Sequence, residues 1–100
     1  MNQIEDTKTI VLRSPIKQKD ETIAEIHLRE PTVREIDSFM KATEKHGPIA
    51  GIAWLMCNVS GLEKPTIDLM SVRDFKDCQN YLASFLEYGE DQNSQQTGAA

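Results

Sequence analysis

This chain of 100 residues lacks several features, and each absence excludes a class of function. It has no run of lysine and arginine, and its formal net charge is −5, so a nucleic-acid-binding surface is not expected. Its longest apolar run covers residues 49–57, which is too short for a membrane-spanning helix of about 20 residues. Its first residues, Met-Asn-Gln-Ile-Glu-Asp, are polar and acidic, unlike a signal peptide.

Cysteine and histidine are also scarce. Cys57 and Cys78 both fall on predicted apolar helical segments, so we expect two reduced, buried thiols, with a disulfide or a metal site as the alternatives. The two histidines, His27 and His46, do not have the spacing that a zinc site requires. The sequence contains no glycine-rich phosphate loop and no nucleophile elbow. It therefore predicts a protein that is not an enzyme and that holds no cofactor or metal.

What the chain does contain is a change of hydrophobic pattern at residues 28–35 (Leu-Arg-Glu-Pro-Thr-Val-Arg-Glu). Apolar residues alternate with polar ones before this stretch, and they recur every three or four residues after it. Pro31 ends a strand because it has no N–H to give to a ladder. Thr32 and Glu35 then form a T-x-x-E capping box, which predicts the start of a helix.

Two strands are predicted before this corner, at about residues 7–14 and 22–29, joined by a polar connection with a proline break at residues 15–21. Neighbouring strands with a short connection favour an antiparallel β-hairpin, which must pack on other elements because a hairpin alone is only marginally stable. The inward face is predicted to consist of Ile10, Leu12, Ala24, Ile26 and Leu28.

Three helices are predicted after the corner, at about residues 33–46, 49–59 and 72–87. The first is amphipathic. The second is apolar nearly all round, with a bulky aliphatic face and a face of small residues beside it. Such a helix is either the central buried element of the domain or is partly offered to a partner.

The last helix begins at a second capping signal, S-x-x-D, formed by Ser71 and Asp74. Asp74 and Asp77 are expected on a solvated helix face rather than in an acid–base pair. Residues 89–100 contain no large apolar side chain and are predicted to form a disordered acidic and polar tail. The predicted fold is therefore a single α+β domain over residues 1–88, with an N-terminal antiparallel hairpin followed by three helices.

With no catalytic constellation in the sequence, interaction with other proteins is the remaining function. The second and third helices supply most of the candidate partner-binding side chains, as judged from the helix geometry. Flexible methionines suit adaptable binding surfaces, although they fill gaps in a core equally well. The candidates are Trp54, Ile52, Met56, Met40, Tyr81 and Phe85.

The order of these signals resembles the small tail assembly chaperones of contractile-tailed phages of the Mu and P2 type. The resemblance covers about residues 8–86. Its most specific piece is residues 28–36, and it is supported at the expected distance by Gly61-Leu62, Asp68-Leu69 and Asp74-Phe75.

The resemblance implies a protein without catalytic activity that works in the cytoplasm of the bacterial host. Members of this family bind the tape measure protein, a long and largely helical chain, and keep it soluble while the tail tube polymerises. They are absent from the mature virion. The resemblance also implies further candidate partners, namely a frameshifted longer form of the chain and the tail tube protein, and it leaves self-association open. The alternative is a minor structural tail or baseplate component that is retained in the particle.

Overall fold

The computed structural model describes the backbone of residues 6–98 and the side chains of residues 6–86. An antiparallel two-stranded sheet comes first and helices follow it, so the predicted α+β fold is confirmed. The elements in chain order are β1 (Thr7–Gln18), β2 (Glu21–Arg29), α1 (Val33–His46), α2 (Pro48–Ser60), α3 (Lys64–Asp68) and α4 (Val72–Gly98). The predicted disordered tail, residues 89–100, lies outside the residues whose side chains are described, and it stays a prediction.

The hairpin differs from its prediction in the length of β1. The polar connection predicted at residues 15–21 is strand as far as Gln18, and the turn consists of Lys19 and Asp20. Lys19 adopts a positive φ of 48°, which helps two residues reverse the chain. Pro15 does not end the strand because it lies in a β-bulge, where its missing N–H removes no bond from the ladder.

The bulge also decides which residues of β2 face the core. Beyond the pair formed by Val11 and Glu25, β1 has four residues opposite a single residue of β2, Ala24. The extra residues change the alternation of β2, so that Ile23 is half-buried against the core and Ala24 is exposed. The prediction that Ala24 faces inward is wrong, because it assumed an unbroken register between the strands.

The core lies between the inner face of the hairpin, α2 and α4. Leu55 and Met56 on α2 and Leu82 on α4 have no exposed surface, and Ile26 and Leu28 of β2 are almost as fully buried. For most of its length α2 is therefore the central buried element, the first of the two predicted alternatives, because β2 packs on it while β1 packs on α4.

At the corner between β2 and α1, the predicted capping box is present. Thr32 Oγ1 accepts a hydrogen bond from the Glu35 N–H (3.2 Å), and Glu35 Oε1 accepts one from the Thr32 N–H (2.9 Å). The Arg29 guanidinium donates to both oxygens of Glu35 at 2.8 and 2.7 Å, and it also donates to the carbonyl of Asn58 at 3.1 Å. This single arginine therefore joins the end of β2 to the start of α1 and the end of α2.

At the start of α4, Asp74 differs from its prediction. The sequence suggested a solvated carboxylate, but Asp74 is completely buried. Its Oδ1 accepts a hydrogen bond from the Arg13 N–H (2.9 Å), and its Oδ2 accepts one from the Ser14 N–H (3.0 Å). Both N–H groups belong to the bulge of β1, where the ladder leaves them without a strand partner. Asp74 therefore fastens α4 to the hairpin.

Candidate partner-binding site

Three of the six predicted partner-binding side chains lie in the core. Ile52 is 6% exposed and Met56 is fully buried, because both lie on the side of α2 that faces the hairpin and α4. Tyr81 is 8% exposed, and its ring packs edge-on against that of Phe85 with the centroids 5.2 Å apart. These three side chains pack in the core and are not accessible to a partner in the described conformation.

The other three predicted side chains are accessible but lie on three different helices. Met40 on α1 is 60% exposed. Trp54 on α2 and Phe85 on α4 are half-buried against the core. The structure therefore does not bring the six predicted residues together into one patch, and their function in binding stays a prediction.

The side of α2 that carries Gly51 is covered by α1, and the two helices approach closely at one point. A Cβ atom added to Gly51 would lie 1.9 Å from Thr43 Oγ1, so only glycine fits there. Another face of α2, which contains Ile49 and Cys57, is turned away from α1. Helix α3 lies beside this face near Cys57. Its N-terminal end is open to solvent, and Ile49 there is 69% exposed.

This open end of α2 forms one wall of a hollow of about 210 Å³. We call it the apolar hollow, and its lining residues are Ile49, Ala53, Ile67, Asp68, Met70, Val72 and Phe75. Six large apolar side chains are exposed among the described residues, and three of them, Ile49, Leu69 and Val72, lie in or beside this part of the structure. The apolar hollow is therefore a concentrated apolar surface on a small domain.

The hollow exists because three short pieces of chain meet there, with no fourth element above them among the described residues. Ile49 and Val72 lie in the first turns of α2 and α4, and neither side chain belongs to the core that these helices form with the hairpin. Ile67 of α3 is 3% exposed and forms the floor. Helix α3 has only five residues, which is too short to cover the opening.

The charges around the hollow largely neutralise each other. Asp68 is the one charged residue among its lining side chains, and its Oδ1 lies 3.0 Å from the ammonium group of Lys64 one turn earlier. Burial raises the pKa of the nearby Cys57 thiol, with opposing contributions from Lys64 and Asp68. The chemistry offered to a partner is therefore mainly that of apolar side chains.

None of the residues that line this site is among the six candidates that the sequence suggested. Val72 lies on the apolar stripe of the last helix, and Ile49 lies on the aliphatic face of the second. Hydrophobic periodicity identifies such a face but does not show whether another element covers its first turn. The available signal is the position of these residues in the turn that follows a cap or a proline, at the edge of the packed region.

The buried thiol of Cys78 is not ionised at neutral pH. Burial, with smaller contributions from Asp77 and Asp74, raises the pKa of the Cys78 thiol to about 12, so this thiol is protonated at neutral pH. The described residues contain no group of three or more histidine, cysteine or carboxylate side chains that could hold a metal ion. Every helix in this part of the chain is too short or too polar to cross a membrane.

Comparison with known proteins gives a family but no individual relative. Neither the curated proteins nor the solved structures include a match to this chain. A family model does match it, over residues 9–87, and its description is phage tail assembly chaperone proteins, E, or 41 or 14. The matched region contains the hairpin, except for the first two residues of β1, and it contains all the residues that line the apolar hollow. The chain therefore belongs to this family of phage tail assembly chaperone proteins.

Proposed function

We propose that this protein binds the tape measure protein in the cytoplasm of the bacterial host and keeps it soluble while the tail tube polymerises. In this proposal it is displaced as the tube grows and is absent from the mature virion. Membership of the chaperone family supports a function in tail assembly. The observation that carries the step from the family to a binding site is the apolar hollow with its exposed rim.

The physical reason for such a function is the cost of leaving apolar surface in water. Apolar stretches of a long unassembled chain would associate with each other, and covering them recovers about 25 cal/mol for each Å² removed from water. Ile49, Leu69 and Val72 offer side chains for this contact. The formal net charge of −5 keeps a coated complex in solution through mutual repulsion.

The proposal is tested by co-expression with the tape measure protein and measurement of its soluble fraction. We expect Val72→Asp in the hollow to lower the captured tape measure protein about tenfold or more, because a carboxylate would be placed in the apolar contact. Val33→Asp is the matched control. Val33 and Val72 are both the first residue of a helix and are 87% and 77% exposed, so an aspartate suits the helix dipole equally at both positions.

The outcomes separate the function from the site. A tape measure protein that is equally soluble without this chain would refute the function. Equal capture by Val72→Asp and Val33→Asp would show that the apolar hollow is not the site. Mass spectrometry of purified virions tests whether the protein leaves the particle, because a minor tail or baseplate component would be retained. A slippery codon and an overlapping frame in the nucleotide sequence would support a frameshifted longer form as a further partner.

A further inference from the structure

A second surface lies along the edge of β1 that faces away from β2. The Glu30 N–H donates to the Asp6 carbonyl at 2.8 Å, and this pair continues the register in which Lys8 lies opposite Leu28. Hydrogen-bonded and non-hydrogen-bonded pairs alternate in an antiparallel ladder. Because Asp6 belongs to a hydrogen-bonded pair, Thr7, Thr9 and Val11 belong to non-hydrogen-bonded pairs. Their backbone N–H and C=O groups therefore point outward, away from β2.

The contact between Thr9 and His27 supports this assignment. These two residues lie directly opposite each other, and Thr9 Oγ1 lies 2.9 Å from His27 Nδ1. Side chains approach most closely in non-hydrogen-bonded pairs, where the Cα atoms are about 4.5 Å apart. The N–H of His27 consequently points outward as well, but on the opposite edge of the hairpin.

The outer edge of β1 borders a groove of about 500 Å³ that we call the edge groove. One wall consists of four consecutive strand residues, from Lys8 to Val11, and the other wall consists of α4 residues Asp77, Asn80 and Tyr81. Consecutive residues of a strand point to opposite faces of a sheet. A groove that touches all four of them therefore runs along the strand edge, where the outward backbone groups lie.

Further along β1, backbone N–H groups already bind an acceptor from α4. The buried Asp74 carboxylate accepts hydrogen bonds from the N–H groups of Arg13 and Ser14 in the bulge. The edge is thus occupied by an acceptor at the bulge, while the stretch from Lys8 to Val11 borders the groove. Among the described residues no further strand lies beside β1. A strand edge of this kind, with alternating donors and acceptors, is complementary to the backbone of another extended chain.

We propose that the edge groove binds an extended, proline-free segment of the tape measure protein, which adds a third strand to the hairpin beside β1. This inference rests on the proposed function. The occupant is a single extended segment because α4 forms the second wall. A folded second copy of this chain would bring its own β2 to the place where α4 stands, and a helix satisfies its backbone groups internally.

Binding through the backbone has a consequence for a long partner such as the tape measure protein, which we call the client. The hydrogen bonds of an added strand depend little on side-chain identity, so the edge groove accepts extended, proline-free segments that lie between the helical stretches of the client. The bound segment is also prevented from pairing with strands or apolar segments of other client chains. The apolar hollow and the edge groove would then act on different parts of the same client, the first on apolar side chains and the second on the backbone.

The test compares two proline variants in the co-expression experiment. Thr9→Pro removes an outward N–H from the edge of β1, and His27→Pro removes one from the opposite edge of the hairpin. Both variants lose the same contact between Thr9 and His27, and proline is tolerated at strand edges where the N–H faces outward. We expect Thr9→Pro to lower the captured tape measure protein about tenfold, and His27→Pro to leave it within about twofold of the wild type.

Each outcome decides the proposal. If the wild type captures the client and the two proline variants capture it equally, the edge groove is not used, although the proposed function stands. If the wild type captures nothing, the proposed function fails and this inference fails with it. Should Thr9→Pro not fold by circular dichroism, amide hydrogen exchange of the wild-type complex decides instead. Slowed exchange at Thr9 and Val11 relative to the free protein supports the added strand, and unchanged exchange overturns it.

Discussion

The starts of α1 and α4 carry the same sequence signal and use it differently. Each has a hydroxyl residue at the N-cap and a carboxylate three residues later, with Thr32 and Glu35 at α1 and Ser71 and Asp74 at α4. At α1 the carboxylate accepts the N–H of its own cap and completes the box. At α4 the hydroxyl accepts the helix N–H at 3.2 Å, but the carboxylate binds the bulge of β1 instead.

The difference shows which of the two hydrogen bonds in a capping box depends only on the residues of the first turn. The hydroxyl half forms at both helices because it needs only the backbone of the first turn. The carboxylate half depends on which donors lie within reach. Glu35 is one methylene longer than aspartate and finds its own cap and Arg29. Asp74 lies beside two N–H groups that the bulge removes from the ladder, 60 and 61 residues earlier in the chain.

The largest effect is expected from Asp74→Ala. The substitution leaves the N–H groups of Arg13 and Ser14 without their acceptor in a buried position. Burial alone raises the pKa of the Asp74 carboxyl, but these N–H donors, the Ser71 hydroxyl and the charge of Arg13 together lower it below its ordinary value. We expect the free energy of unfolding to fall by about 3 kcal/mol, measured by urea denaturation.

Asp77→Ala is the matched control for this prediction. Asp77 is the same residue type three positions later, its side chain is 35% exposed, and it lies 3.5 Å from Arg13. A partly exposed ion pair of this kind contributes at most about 1 kcal/mol. Equal losses in the two variants would mean that the contact between α4 and the bulge adds nothing beyond a surface charge.

A smaller effect is expected at Glu35, and it depends on pH. The hydrogen bonds from Arg29 are the largest cause that lowers the pKa of Glu35, from 4.5 to about 2. The same contact raises the pKa of Arg29. A lowered carboxyl pKa stabilises the fold fully above about pH 4.5, and this contribution is lost as the pH falls through about 2.

Glu35→Gln isolates this contribution. At pH 7 we expect it to lower the free energy of unfolding by about 1–2 kcal/mol, because the paired charge is lost while one acceptor oxygen remains. Between pH 4.5 and 2 the difference from the wild type should shrink, and the residual acid sensitivity of the variant would come in part from Asp74. Urea midpoints at pH 7, 4 and 2.5 provide the measurement. Parallel curves for the two proteins would contradict the assignment.

The same distinction between local and tertiary causes explains how much of the fold could be predicted. The corner at Pro31, the box at Thr32 and the order of hairpin and helices follow from short-range rules, and the structure contains them. The bulge could not be predicted, because its N–H groups are satisfied by Asp74, a distant residue. Ala24 was consequently assigned to the wrong face of β2.

The candidate site was harder to predict for a related reason. Periodicity places Val72 and Met56 on apolar helix faces in the same way, yet Val72 is 77% exposed and Met56 is fully buried. Whether an apolar face is covered depends on the length and angle of the neighbouring elements, and α3 proves too short to close the hollow. The function was indicated instead by the order and spacing of motifs, which the family match over residues 9–87 supports at the level of tail assembly.

The smallest effect is expected at the cap of α1, and it tests whether the box acts as one unit. Thr32→Ala should lower the free energy of unfolding by about 1 kcal/mol, because the Glu35 N–H loses its acceptor. Combined with Glu35→Gln, the loss should be less than the sum of the two single losses, because both variants weaken the same box. Combined with Asp74→Ala, the losses should add, because the two helix starts share no hydrogen-bond partner. A thermal unfolding midpoint that does not shift in Thr32→Ala would contradict the box, and non-additivity with Asp74→Ala would show that the two helix starts are coupled.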